Sequence, residues 1–219
     1  MTMMPASRTI LSLCDHSGAW SEPYKHAGYD VRRVDLSGGQ DVRMLPWPGP
    51  VWGILAAPPC DRFCNPSARL RPTSDAMISV SSSVTVSGFV DTWQSSALLD
   101  RLSIADACLR LVALCRPRWW VLENAVGRLP TWYGEPTMTF QPYEYAGWSD
   151  HPQQESYSKR TCLWGRFRQP DKRCVNAEQM PDHLPPGRRD RTSRLSSSQK
   201  RLRAQTPQGF ARAFFASNP

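Results

Sequence analysis

At 219 residues, 40% of them hydrophobic, the chain suits one α/β domain with a short appendage, and its 20 prolines and 13 glycines leave much of it to loops. A formal charge of +8, from 27 Lys and Arg against 19 Asp and Glu, favours a polyanionic partner, nucleic acid first. No stretch nears the ~20 apolar residues of a membrane span, no basic leader precedes an apolar run, and seven scattered cysteines form no CxxC pair, so membrane, secreted-disulfide and zinc readings recede and a cytoplasmic protein is expected.

From the N-terminus, Thr9 to Cys14 form a short apolar run that ends in Asp15-His16-Ser17-Gly18 and leads into a helical stretch, a pattern of strand, tight turn and helix. A second strand, Tyr29 to Asp35, closes on a carboxylate about twenty residues after that turn, the spacing at which a nucleotide-binding α/β unit sets an acid on a ribose. Gly53 to Ala57 reads as a buried strand stopped by Pro58-Pro59. Cys60, directly after the prolines, therefore sits at a strand's carboxyl end, where open α/β sheets hold their chemistry. Residues 61–93, rich in Ser, Thr, Arg and Pro without a sustained period, read as a long functional loop.

Leu98, Leu102, Ala105, Leu109, Val112 and Leu114 recur at helical spacing up to Cys115, and Pro117 stops the helix. Trp119 to Leu122 then forms a strand ending at Glu123-Asn124. Thr161 to Gly165 forms another after Lys159-Arg160, and Thr206 with Pro207 opens a C-terminal helix. This alternation predicts an α/β fold with a mostly parallel sheet and helices on both faces. Positive charge is densest from Lys159 to Arg203, and Lys159, Arg188, Arg189, Arg191, Arg194, Lys200 and Arg201 are the expected nucleic-acid contacts.

Taken in order, Leu13-Cys14-Asp15-His16-Ser17-Gly18, Asp35, Asp41-Val42, Pro58-Pro59-Cys60, Glu123-Asn124, Lys159-Arg160-Thr161 and Gln205-Thr206-Pro207-Gln208-Gly209-Phe210 resemble the motifs of the cytosine carbon-5 DNA methyltransferases, especially the short versions common in bacteriophages. The resemblance spans nearly the whole chain. It implies a Rossmann-like methyltransferase fold, S-adenosylmethionine as cofactor, DNA as partner, and a monomer. Donor contacts are implied for Asp15, Ser17, Gly18, Asp35 (ribose), Asp41 and Val42 (adenine) and Pro58. Cys14 stands where the family has a phenylalanine, and only one of the family's three turn glycines is kept, so Trp20 or Trp52 is the expected stacking partner instead.

The chemistry explains the residue types. Carbon-5 of cytosine is a poor nucleophile until a thiolate adds to carbon-6, the role the resemblance gives to Cys60. Glu123 is then the residue that shares a proton with ring nitrogen 3 and the exocyclic amine, and Arg160 the one that steadies charge on the carbonyl oxygen. Plainer alternatives stand beside each: a buried structural thiol, a cap carboxylate, a turn residue for Asp35 and a surface arginine. The expected organisation is a catalytic domain over 1–167, a minimal basic recognition segment over 168–204 and a C-terminal helix over 205–219 that packs back on the domain. Rival functions are modification of a free cytosine nucleotide, a non-catalytic DNA-binding protein on the same fold, and a zinc-stabilised module.

Overall fold

The computed structural model describes residues 8–63, 89–175 and 204–219, with side chains described from residue 96 in the second stretch. Six strands, β1 (Thr9–Leu13), β2 (Asp30–Val34), β3 (Gly53–Ala56), β4 (Trp119–Ala125), β5 (Met138–Phe140) and β6 (Thr161–Arg166), form one sheet in the order β2-β1-β3-β4-β6-β5. β1 to β4 are mutually parallel, whereas β6 runs antiparallel to both β4 and β5. Five strands therefore share one direction and one is reversed, a mostly parallel Rossmann-like sheet. The chain leaves β1 for β2 on one side and returns for β3 on the other, which makes the carboxyl ends of β1 and β3 the switch point of the sheet.

Strand residues alternate between two hydrophobic layers, as a pleat requires. Leu11 and Leu13 of β1, Ile54 and Ala56 of β3, Leu122 of β4 and Trp164 of β6 face helix α2 (Phe89–Cys115), which brings Leu102, Ile104, Ala107, Cys108 and Leu111. Ile10, Leu55, Val121 and Leu163 face the other way, onto α1 (Glu22–His26) and the C-terminal helix. Two further short helices, α3 (Pro130–Tyr133) and α4 (Pro152–Glu155), precede that helix, α5 (Gln208–Ser217). Helices thus cover both faces, as expected. α2 begins at Phe89, nine residues before the helix read from the sequence, and β5 has no counterpart in that reading. Among the described residues no helix is long and apolar enough to cross a membrane.

α5 is fixed to the sheet by aromatic packing and by a ring of polar clasps. Phe210 stacks on Phe140 with centroids 3.8 Å apart, and Phe214 meets Trp119 edge-on at 5.7 Å. Each such ring, fully buried, contributes roughly 1.5–3 kcal/mol. The Glu155 carboxylate accepts from the amides of Gln208 (2.5 Å) and Gly209 (2.8 Å), satisfying the first turn of the helix, and Arg212 grips Asp150 with two bonds of 2.7 and 2.5 Å. The Gln208 side chain accepts from Ser149 Oγ and the Asp150 amide, both at 3.0 Å. Upstream, Asp171 and Arg173 are pinned on the same turns: the Asp171 carbonyl accepts from Trp148 Nε1 at 2.9 Å and the Arg173 carbonyl from the Gly147 amide at 2.8 Å.

Gly209 has no room for a side chain, because a Cβ there would collide with the Tyr145 carbonyl oxygen, which is backbone and cannot swing away. Gly209→Ala is expected to lower stability by about 2 kcal/mol, overpacking outweighing the ~1 kcal/mol gained in helix propensity. Urea denaturation reads it. A midpoint equal to or above that of the unaltered protein would show that α5 is not seated on the Tyr145 turn.

Candidate active site

All the strands that carry predicted site residues deliver them to one edge of the sheet. After β1 the chain turns sharply, with Cys14 (φ 58°) and Gly18 (φ 74°) both left-handed. Asp15 organises this turn. Its carboxylate accepts from Ser12 Oγ (2.9 Å), the Gly18 amide (3.0 Å), Ser21 Oγ (2.9 Å) and the Ser21 amide (3.3 Å), and the residue is buried. These bonds turn the Asp15 oxygens inward, where they shape the loop. Ser17 is exposed and accepts from the Ala19 amide at 3.2 Å, while Gly18 lies against the Arg33 guanidinium.

At the end of β2, Asp35 caps a 3-10 turn over Leu36–Gly38. Its Oδ1 accepts from the Ser37 amide at 2.8 Å and the Ser37 hydroxyl at 2.6 Å, with His16 Nδ1 at 3.7 Å. Partial burial alone would raise its carboxyl, but the Ser37 bonds and His16 outweigh it and hold Asp35 below the usual carboxylate range. It is therefore an anion at neutral pH, and Oδ2 takes part in none of these bonds. Leu36 beside it is 60% exposed, an apolar surface that sequence reasoning passed over. The signal for it is a large aliphatic residue directly after the strand-end acid.

Asp41 caps the next turn, Val42–Met44, and Arg43 engages both of its oxygens, with Nε at 3.0 and 2.9 Å and Nη2 at 2.6 Å from Oδ2. Those bonds hold its carboxyl below the ordinary range. Val42 is buried in the α2 layer, where its side chain packs the core. Trp20 lies in the opposite layer. It is 0% exposed, with Phe214 and Phe210 at 5.9 and 6.3 Å, because α5 closes over it, and neither face of its ring is open to a base. Trp52 precedes β3, at the opposite edge of the sheet, where its Nε1 donates to the Pro219 carbonyl at 2.9 Å and the Arg8 and Arg118 guanidiniums lie 4.3 and 4.4 Å from its ring.

β3 ends at Ala56, and Pro58, Pro59 and Cys60 come next at its carboxyl end. Pro58 is buried, and its carbonyl accepts from Asn124 Nδ2 at 2.9 Å. It forms a rigid corner at the end of the strand. The half-buried Cys60 is in no disulfide, and its carbonyl closes a turn by accepting from the Phe63 amide at 2.9 Å. Phe63 is buried, and its own carbonyl accepts from the Arg128 amide at 2.8 Å. The Cys60 corner is thus fastened on both sides.

On the neighbouring strand Leu122 pairs with Ala56, which sets Glu123 and Asn124 beside that corner. Burial pushes the Glu123 carboxyl above the ordinary glutamate range, and the Lys159 charge pulls only partly the other way. β6 pairs Thr161 with Ala125. Being reversed, it brings its first residues to the carboxyl end of β4, and so Lys159 and the exposed Arg160 arrive at the same edge. Asn124 is itself 1% exposed, and its Oδ1 has no hydrogen-bond partner among the described residues. A cleft of about 240 Å³ opens between α1 and the start of α5, with Ala19, Glu22, Tyr157, Gln205 and Thr206 in its walls. Among the described residues no three His, Cys, Asp or Glu side chains gather closely enough to hold a metal. Arg188, Arg189, Arg191, Arg194, Lys200 and Arg201 lie outside the described residues.

No protein-family profile and no curated protein matches the chain. Among solved structures it is similar to an E. coli protein described as a DNA modification methyltransferase encoded within a prophage, at 15% identity and a TM-score of 0.44, over 82% of this chain and 52% of that one. The chain spans about half the length of that protein.

If a methyl donor's ribose binds at this turn, Asp35→Ala removes the strand-end anion and weakens binding of S-adenosylhomocysteine by on the order of 10- to 100-fold, the worth of a charge-assisted hydrogen bond or two. Titration calorimetry measures it. An unchanged dissociation constant would reduce Asp35 to a turn residue.

Proposed function

We propose that the chain is a DNA methyltransferase that transfers the methyl group of S-adenosylmethionine to carbon-5 of cytosine through a covalent adduct with Cys60. The observation that carries the reading is the placement of Cys60 and Glu123 at the carboxyl ends of adjacent parallel strands, joined by the bond from Asn124 to Pro58. A thiol nucleophile and a carboxyl whose proton is held more tightly than usual are the two groups this chemistry needs within reach of one ring.

In the proposed reaction the Cys60 thiolate forms a bond to carbon-6, and the displaced ring electrons make carbon-5 nucleophilic. Glu123 donates a proton at ring nitrogen 3, a role suited to a carboxyl that burial makes hold its proton more tightly than usual. Arg160 supports the carbonyl oxygen. S-adenosylmethionine supplies an electrophilic methyl group at its sulfonium. Once carbon-5 carries the methyl group, its proton leaves to solvent, the bond between Sγ and carbon-6 breaks, and the proton on ring nitrogen 3 returns to Glu123, which restores the thiolate, the carboxyl and the ring.

The residues around β1 and β2 fit the donor. Asp35 presents an ionised oxygen for the ribose, exposed Leu36 an apolar face for the adenine, and Glu22, in the wall of the cleft, a carboxylate for an amino-acid ammonium. The proposed division is a catalytic unit over 1–167, a basic DNA-contacting segment over 168–204, and α5 as the closing element. A duplex cytosine has to leave the base stack before Cys60 reaches it. DNA carrying 5-fluorocytosine tests the reading. With S-adenosylmethionine it is expected to form a complex that survives denaturation and maps to the Cys60 peptide, whereas methylation of an exocyclic nitrogen with no such complex would overturn it.

A further inference from the structure

His16 stands where a glycine-rich cofactor turn would leave bare backbone, and its ring spans the gap between the turn after β1 and the turn after β2. Its Nδ1 lies 2.9 Å from Ser37 Oγ. The single hydroxyl hydrogen of Ser37 is committed to Asp35 Oδ1 at 2.6 Å, so Oγ meets His16 as an acceptor and Nδ1 carries the hydrogen. In neutral His16 that fixes the tautomer: Nε2, on the opposite edge of the ring, is an acceptor. The side chain is 79% exposed, so the ring is largely open to solvent, and the bonds that Ser37 makes to Asp35 engage Oδ1 and leave Oδ2 out.

A cis-diol offers two hydroxyl donors side by side, and two acceptors on adjoining turns answer it better than one. We propose that His16 is a further donor-binding residue, one that accepts a ribose hydroxyl at Nε2 while Asp35 accepts the other, with Ser37 holding both side chains in register. The proposal rests on the methyl-donor reading of this site and adds to it a residue of the turn after β1 to which that reading gave no role. It also accounts for a histidine in a tight turn where a smaller residue would do: the ring replaces, by a side-chain contact across the gap, some of what backbone approach supplies at a glycine-rich turn.

Calorimetry with S-adenosylhomocysteine and its 2′-deoxy and 3′-deoxy analogues tests it on the full chain. His16→Ala is expected to bind the parent compound about five- to tenfold more weakly, the worth of one hydrogen bond, and to lose that penalty with one of the two deoxy analogues. His16→Gln, whose amide oxygen restores an acceptor, regains part of the affinity. Because His16 is largely exposed, thermal midpoints of the variants should match that of the unaltered protein. Equal affinity of His16→Ala for the parent compound, or a penalty that persists with both deoxy analogues, would overturn the role of His16 alone. An unaltered protein that bound neither S-adenosylhomocysteine nor S-adenosylmethionine would overturn the methyltransferase reading beneath it.

Discussion

Cys60→Ser should abolish methyl transfer, by ~10³-fold or more, and should eliminate the denaturation-resistant complex with 5-fluorocytosine DNA. A serine hydroxyl is not ionised near neutral pH, so addition to carbon-6 fails and carbon-5 never becomes nucleophilic. The corner itself should survive the change. It is fixed by the Asn124 bond to the Pro58 carbonyl and by the Phe63 amide on the Cys60 carbonyl, both of which are backbone acceptors untouched by the substitution. Binding of S-adenosylhomocysteine and of DNA is accordingly expected to stay within a few fold. The fluorinated base makes the experiment decisive, since fluorine at carbon-5 blocks the proton loss that would release the thiol. Trapping that persists undiminished in Cys60→Ser would place the nucleophile elsewhere.

Glu123→Gln is expected to lower the rate by about 10²-fold with little change in DNA affinity, because an amide keeps a hydrogen bond to the ring but has no proton to give. Its effect on stability runs the other way. Burial raises the Glu123 carboxyl from its ordinary 4.5, so the folded chain holds this proton more tightly than the unfolded chain does. Folding then takes up a proton in the interval above 4.5, and stability falls as pH rises through the raised folded value. Glutamine carries no charge and escapes that loss. The variant should therefore unfold at a higher temperature than the unaltered protein at about pH 8, with the gap closing towards about pH 4. Lys159 offsets part of the cost in the unaltered protein and limits the size of the gap. A variant that is fully active, or less stable at the alkaline end, would remove Glu123 from the reaction.

Loss of function with gain of stability separates a reacting group from a structural one. The same contrast explains what the sequence makes legible. Cys60 and Glu123 follow short apolar strands and Asp35 closes one that mixes valine with arginine, and a residue at that end of a strand lies at the functional edge of a parallel sheet. β1 and β3 are legible as short apolar runs, the pattern of parallel strands buried on both faces. Trp20 is different. An aromatic ring two residues past a turn glycine suits a ligand and a core equally, and the choice is made by Phe210 and Phe214, far along the chain. Val42 and Asp15 turn inward for similar reasons, one toward α2 and one toward hydroxyls and amides of its own loop. β5 is three residues long and carries no period of its own; it exists because β6 offers it an edge. The first turns of α2 hold Thr92, Gln94, Ser95 and Ser96, whose polar side chains hide helical periodicity.

The clasps around residues 144–155 hold two distant parts of the chain side by side. Asp171 and Arg173 are tied to Trp148 and Gly147, and Gln208 is tied to Ser149 and Asp150, so the chain departs from and returns to a single small platform. Residues 176–203 thus join two points that the folded domain already holds close together. The platform works as a socket: the bonds that hold its two sides together lie within the folded domain and tie the start of α5 to the turns that also receive Asp171 and Arg173. Grafting a reading module from another protein between Val175 and Ala204 is therefore the natural route to retargeting the proposed activity.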